Sequence, residues 1–307
     1  MRTLIDRLIT TPLVGVDIGS SILKVVEIAE EDGKIILHRC GVAPVEGENV
    51  SAILKQLVAE MGITTTHAAL GVASPEVIVK PFEYPRMPRK ELLKAIQLEA
   101  EQEMLSSRAE TDTAIDWHTL SSDSRESHRG LLAVVPKNLL SSHLEIAKES
   151  GLHPVIVDVE GLALWNAYWA LLGRKEIDPK TILLMNIGAK TTNLVIAKGP
   201  DALILIRDLP FGAKALREGQ EKEWVNEVRD SLGYAHSHRG LRTLDNVYMT
   251  GGGSGRDLKL LLATAAGVPV EFWNPLNNLA RTPGLSVEDS VGPLLAVAIG
   301  LALRKPT

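Results

Sequence analysis

The sequence predicts a two-lobed α/β protein whose two similar subdomains face each other across a cleft, and three stretches predict it. Residues 13 to 29, LVGVDIGSSILKVVEIA, and residues 183 to 197, LLMNIGAKTTNLVIA, share one plan. Each has an apolar strand, a polar residue before Ile-Gly, a short hydroxyl-bearing turn and an apolar strand running back, which is a β-hairpin made twice. Aligning Asp17 on Asn186 puts Gly19 on Gly188, with one residue fewer in the second turn. The third stretch, NVYMTGGGSG at 246 to 255, ends a short strand in three glycines ahead of a helical pattern, RDLKLLLATAAG.

Turns of this kind suit phosphate. Glycine permits close approach, so backbone N–H groups converge on an anion, with the hydroxyls of Ser20, Ser21, Thr191 and Thr192 beside them. Lys24 adds a compact positive charge, and Gly19, Gly188, Ala189 and Lys190 complete the two candidate turns. Asp17, at a strand end, can hold Mg²⁺ directly or through its waters. Gly251, Gly252 and Gly253 would let a ligand lie on bare backbone at the positive end of a helix. Each stretch taken alone is also what a plain glycine turn would look like.

Composition narrows the function classes. At 307 residues the chain can bury one or two sizeable cores. A net charge of −5 with scattered lysine and arginine argues against a nucleic-acid partner. One cysteine, Cys40, cannot form a disulfide within the chain, and it reads as a small strand hydrophobe rather than a reactive thiol. No signal-peptide pattern is evident, and the longest apolar run near the end, VGPLLAVAIGLAL, is too short for a bilayer core of ~30 Å.

In chain order, MRTLIDRLITTP reads as a packed lead-in or a short amphipathic helix, ended by Pro12. After the first hairpin come a third strand at 34 to 45, a helix at 50 to 62 and a strand at 66 to 74. From 76 the pattern changes to an inserted module. VIVKPFEYP is a strand broken by prolines, and a helix from Pro88 lines up Leu92, Ile96, Ala100 and Met104. Two strands, AIDWHTL and GLLAVVP, flank a polar loop, followed by the helix KNLLSSHLEIAKESGL and the strand HPVIVDV. Glu99, Glu101 and Glu103 read as a solvated helix face or as the rim of a partner groove.

EGLALWNAYWALL, at 160 to 172, is a strongly apolar helix with Glu160 at its start, where a carboxylate complements the helix dipole, and Trp165 and Trp169 read as core. Beyond the second hairpin, ALILIRDLPFG is a strand. Residues 212 to 240 read as one helix with Trp224, Val225, Val228, Leu232 and Ala235 inward, stopped by Gly240. His236 and His238 have metal-like spacing but no further ligands nearby, so they read as surface histidines. VPVEFW is an edge strand, NPLNNLARTPGLS a loop, and 292 to 304 a last helix crossing back to the first lobe.

The order of these motifs resembles the actin-like ATPase superfamily. Their wording, in VGVDIGSSILKVVEI, VDVEGLAL, RDLPFG, MTGGGSG with GVPVEFWNPL, and GPLLAVAIGLALR, resembles the type IV pilus assembly protein PilM family, related to the division protein FtsA. The resemblance spans nearly the whole chain. It implies an α/β, actin-like fold with ribonuclease-H-like subdomains, an FtsA/PilM-type inserted subdomain and a strongly shortened lobe in the second half. The expected boundaries are 1–75 and 158–179 for the first subdomain, with the insertion at 76–157. The second subdomain takes 180–211 and 245–289, the shortened lobe 212–244, and a closing helix on the first subdomain 290–307.

The resemblance further implies ATP or ADP with Mg²⁺ as the cofactor and a water-positioning role for Glu160. Two departures weaken that activity. Asn186 replaces the expected second-loop aspartate and supplies no charge to Mg²⁺ or a γ-phosphate, and the lobe that walls the adenosine pocket is nearly absent. The expected activity is at most that of a weak ATPase. The implied role is a cytoplasmic scaffold, peripheral to the inner membrane, that grips the amino-terminal tail of a bitopic PilN-like protein and meets other inner-membrane pilus components. The alternatives are the same scaffold with its nucleotide site lost, and a small-molecule kinase of the same superfamily.

Overall fold

The computed structural model describes residues 13–31, 33–45, 49–106, 112–120, 127–172, 180–200 and 202–305, without the side chains of 104–106 and 120. The lead-in at 1–12 and the polar loop at 121–126 fall outside these residues. The first sheet opens with the expected hairpin, β1 (Leu13–Ile18) antiparallel to β2 (Ile22–Glu31), extended by β3 (Lys34–Pro44). Helix α1 (Val50–Glu60) starts where Asn49 Oδ1 accepts the Ala52 N–H at 2.9 Å, satisfying an otherwise orphaned donor. Strand β4 (His67–Val72) then lies parallel to β1.

The inserted module begins with β5 (Ile78–Pro85), α2 (Arg89–Ser106), β6 (Thr113–Leu120) and β7 (Ser127–Pro136). Its sheet order is β5-β7-β6, and α2 buries Leu92, Ile96 and Ala100 against it, one turn apart as the spacing predicts. Pro81 does not break β5, because β5 is an edge strand and needs no outward N–H there. Helix α3 (Lys137–Glu149) and strand β8 (His153–Val159), expected within the insertion, belong with the first sheet. Ala147 and Leu152 share a core with Val14, Val16 and Leu54, and β8 pairs with β4.

The second sheet consists of β9 (Thr181–Ile187), β10 (Thr192–Lys198), β11 (Leu203–Leu209), β12 (Asn246–Thr250) and β13 (Val270–Phe272), in the order β11-β10-β9-β12-β13. Between β11 and β12 the expected single helix is two, α5 (Ala213–Arg217) and α6 (Glu221–His238). Gly219, at φ +88°, makes the break, since a left-handed residue ends a helix. Trp224, Val225, Val228 and Ala235 are buried as the pattern requires. Helix α7 (Arg256–Ala266) leads into β13. Two residues beyond, Ala280–Arg281, form β14, which adds to the outer edge of the first sheet beside β3 rather than to the second.

Two helices join the lobes: α4 (Glu160–Leu171), buried on nearly every side, and α8 (Ala296–Ala302). They approach so closely that a β-carbon on Gly300 would stand 1.8 Å from the Ala163 carbonyl oxygen. One continuous core results, running from Val26, Ile28 and Leu37 of the first sheet through Leu164 and Ala298 to Ile182, Leu184 and Ile206 of the second. Among the described residues no helix is long and apolar enough to cross a membrane.

Candidate functional site

At the end of β1 the Asp17 carboxylate is almost fully buried and ion-paired to Lys24 across the hairpin, with 3.0 Å between Nζ and Oδ2. The turn folds beneath this pair. A β-carbon on Gly19 would stand 2.6 Å from Lys24 Nζ and 2.6 Å from the Ile22 carbonyl oxygen, so glycine is required for close approach. Ser20 and Ser21 are exposed at its tip.

The second hairpin is built differently. Asn186 sits opposite Asn193, and its Nδ2 donates to Asn193 Oδ1 at 2.8 Å, while Asn193 Nδ2 donates to Asp208 Oδ1 at 2.8 Å. The other oxygen of Asp208 accepts the Ser74 N–H at 3.0 Å, crossing from the second lobe to the first. In the turn itself, the Gly188 N–H is taken by the Thr191 carbonyl, and the Gly188 and Ala189 carbonyls accept from Ala213 and Lys214 at the start of α5. Thr192 is not the phosphate donor that its position suggests. It is fully buried, donating to the Phe211 carbonyl at 2.6 Å and accepting from the Trp224 indole at 3.2 Å. Ala189, Lys190 and Thr191 form the accessible part.

Glu160, the first residue of α4, lies where these groups meet. Burial is the main reason that its carboxyl is pushed up to about 8, with the negative charges of Asp17 and Asp208 adding and Lys24 and an Asn193 hydrogen bond opposing. Asp208 is raised to about 6, again mainly by burial, against the pull of Asn193 and the Ser74 N–H. Glu160 is therefore mostly protonated at neutral pH. Asp208 and Asn193 were missed in the sequence reading. Asp208 lies in RDLPFG and Asn193 in the returning strand of the second hairpin, and neither motif signals their hydrogen bond.

The three glycines do not leave bare backbone on every side. Gly251, at φ +91°, packs where a β-carbon would meet Asn186 Oδ1 at 2.6 Å, Gly252 faces Leu294, and Gly253 faces Ile187 and Ala213. They let the β12–α7 connection sit on the end of β9, and only Gly252 is exposed. The donor set in the cleft, carboxylates and carboxamides with one lysine, suits a hard cation and a polyanion. Among the described residues no three His, Cys, Asp or Glu side chains are close enough to hold a metal directly, so Mg²⁺ here would keep much of its water. His236 bonds the Leu241 carbonyl through Nδ1 at 2.8 Å, and His238 stacks on Tyr234.

A second concavity, of about 490 Å³, lies between β6 of the inserted module, β8 and α4. Ile115 and Trp117 line one side, Val157 and Asp158 another, and Trp165 and Trp169 the floor. Both β6 and β8 are edge strands. The buried donors Trp165 Nε1 and Asn166 Nδ2 have no hydrogen-bond partner, which is costly. Asp158 Oδ2 lies 3.0 Å from Arg304 Nε but in a direction that makes no hydrogen bond. The two tryptophans, read as core, thus also face a cavity. Of the acidic side chains on α2, Glu99 and Glu103 turn instead to Lys80 on β5, Glu99 also accepts from the Tyr84 hydroxyl, and Glu101 is solvated.

Two sheets opened by matching hairpins, with a cleft between them and paired helices joining them, define an actin-like fold. The structure aligns with a Bacteroides thetaiotaomicron protein that has an actin-like ATPase fold and unknown function, at a TM-score of 0.52 and 11% identity over 86% of this chain and 91% of that one. It aligns far better with a chain of a PilM-PilN type IV pilus biogenesis complex, at 0.81 and 25% identity, covering 96% and 98%. Residues 15–221 match the family described as type IV pilus assembly protein PilM, and the chain belongs to that family.

Proposed function

We propose that this protein is a cytoplasmic scaffold of type IV pilus assembly that grips the amino-terminal tail of a membrane-anchored PilN-like protein in the cavity between β6, β8 and α4. The observation that carries this reading is a concavity of about 490 Å³, lined by Ile115, Trp117, Val157 and Leu162 with Asp158 and Arg304 beside them, and bounded by two strand edges. An extended peptide adds its backbone to an open edge, while its apolar side chains fill the pocket. The test is calorimetric titration with a synthetic peptide of that tail. Ile115 is 42% exposed, so Ile115→Asp leaves folding intact and weakens binding by about tenfold or more. Equal affinity for parent and variant places the tail elsewhere.

The cleft supports a second ligand, ATP or ADP with Mg²⁺, bound weakly. The exposed turns Ser20–Ser21 and Ala189–Thr191, together with Lys24, would hold phosphate, and Asp17 would reach the cation through water. A competing reading, the same scaffold with no nucleotide, is favoured by Lys24 already neutralising Asp17 and by Asn186 already engaged with Asn193. Titration with MgATP separates them: heat in the parent that vanishes in Asp17→Ala marks a live site, and no heat at millimolar nucleotide leaves the scaffold alone.

A further inference from the structure

Two segments of the cavity wall run directly into the cleft. Val72 lines the cavity, and Ser74, two residues on, donates its N–H to Asp208 of the second lobe at 3.0 Å. Asp158 and Val159 line the cavity, and the next residue, Glu160, lies in the cleft. The end of β4 is held between the two acids: a β-carbon on Gly71 would stand 3.1 Å from Glu160 Cγ, and Asp208 holds Ser74 from the other lobe. Asp208 itself is kept in place by Asn193, which Asn186 fixes in turn.

We propose that the Ser74–Asp208 hydrogen bond, backed by Asn193 and Asn186, is a clasp between the lobes through which the tail cavity senses what occupies the cleft. The link is stiff enough to transmit. Ser74 anchors a tight turn, its hydroxyl accepting from Glu76 at 3.2 Å and its carbonyl from Val77 at 2.9 Å, so displacement of Ser74 passes straight into β5. β5 packs against β11 of the second lobe, and its sheet partner β7 carries β6, a wall of the cavity. A hard cation in the cleft competes for the Asp208 carboxylate, whose bond to Ser74 is charge-assisted and correspondingly sensitive to lost charge. The ionisable groups facing Asp208 are Glu160, mostly protonated at neutral pH, and, beyond it, the Asp17–Lys24 pair, so the clasp stands beside the groups that a cation would approach.

The sensing step rests on the nucleotide reading of the cleft, whereas the clasp itself does not, and hydrogen-exchange mass spectrometry of the full chain tests the two separately. Without ligand, Asp208→Ala raises exchange across 72–79 by about tenfold or more, as loss of a hydrogen bond to a charged group requires, and raises it across 113–118 as well. Asp208→Asn, which has no charge and one oxygen for the two donors Ser74 N–H and Asn193 Nδ2, raises exchange less than alanine does, and the 13–31 hairpin is unchanged in both. Unaltered exchange at 72–79 in Asp208→Ala overturns the clasp. In the parent, saturating MgATP moves 72–79 and 113–118 in the same direction as the alanine variant. Heat of binding with 113–118 unmoved overturns the sensing step, and absence of any heat overturns it together with the nucleotide reading, leaving the ligand-free exchange to decide the clasp.

Discussion

Glu160 carries a carboxyl whose surroundings disfavour its charge. Burial holds its carboxyl near 8, against 4.5 in the unfolded chain. Between those values the folded protein keeps a proton that the unfolded chain has lost, so stability falls as pH rises through that window. Asp208, raised from 3.8 to about 6, acts in the same direction over a lower and narrower range. Glu160→Gln keeps the shape without the ionisable group, and should raise the melting temperature at pH 8, flatten its decline between pH 5 and 8, and be worth on the order of a few kcal/mol at the alkaline end. A variant whose pH profile parallels the parent's would show that the carboxyl is not strained.

Asn186→Asp is the converse case at the same scale. In the family's terms it restores a charge, but here the Asn186 amide donates to Asn193 Oδ1, and a carboxylate would set acceptor against acceptor beside the tightly packed Gly251. The substitution should cost about 1–3 kcal/mol without ligand and be rescued more strongly by Mg²⁺ than the parent is. Thermal melts with and without the ion check this, and a metal-independent gain in stability would contradict it.

At the scale of elements, the crossing of α4 and α8 is what sets the lobes together. Gly300→Ala has no room, with the Ala163 carbonyl 1.8 Å from the new carbon, and should destabilise by ~3 kcal/mol or more. Gly255→Ala, ahead of α7, meets nothing within 4 Å and should shift stability by less than about 0.5 kcal/mol. Denaturant melts of the pair separate a packing requirement from a general intolerance of change. The same contrast explains which elements could be read in advance. Leu92, Ile96 and Ala100 announce α2 through spacing alone, whereas the break between α5 and α6 depends on one left-handed glycine within a stretch that is otherwise helical in pattern.

For the whole molecule, the core does not stop at the cleft. Ile28 and Ile182, from different sheets, belong to one buried cluster joined by Leu164 and Ala298. Unfolding should therefore be a single cooperative transition, with calorimetric and van't Hoff enthalpies in agreement. Two resolved transitions would mean that the lobes are stabilised separately and that the helix pair is a hinge rather than a joint.

From the sequence alone came the strand and helix order, the twin hairpins with Asp17, Gly19 and Gly188 at their bends, the acid opening α4 and the family, because periodicity, turn chemistry and motif order are local properties of the chain. The tertiary structure decided what those residues touch. It brought Asp208 and Ser74 together from 134 positions apart, spent Thr192 on Trp224, packed α3 on the first sheet, added β8 to one edge of that sheet and β14 to the other, and opened a cavity beside Trp165 and Trp169. Such pairings depend on how distant apolar surfaces stack, and no window of sequence records the side chain that will arrive from the far end of the chain.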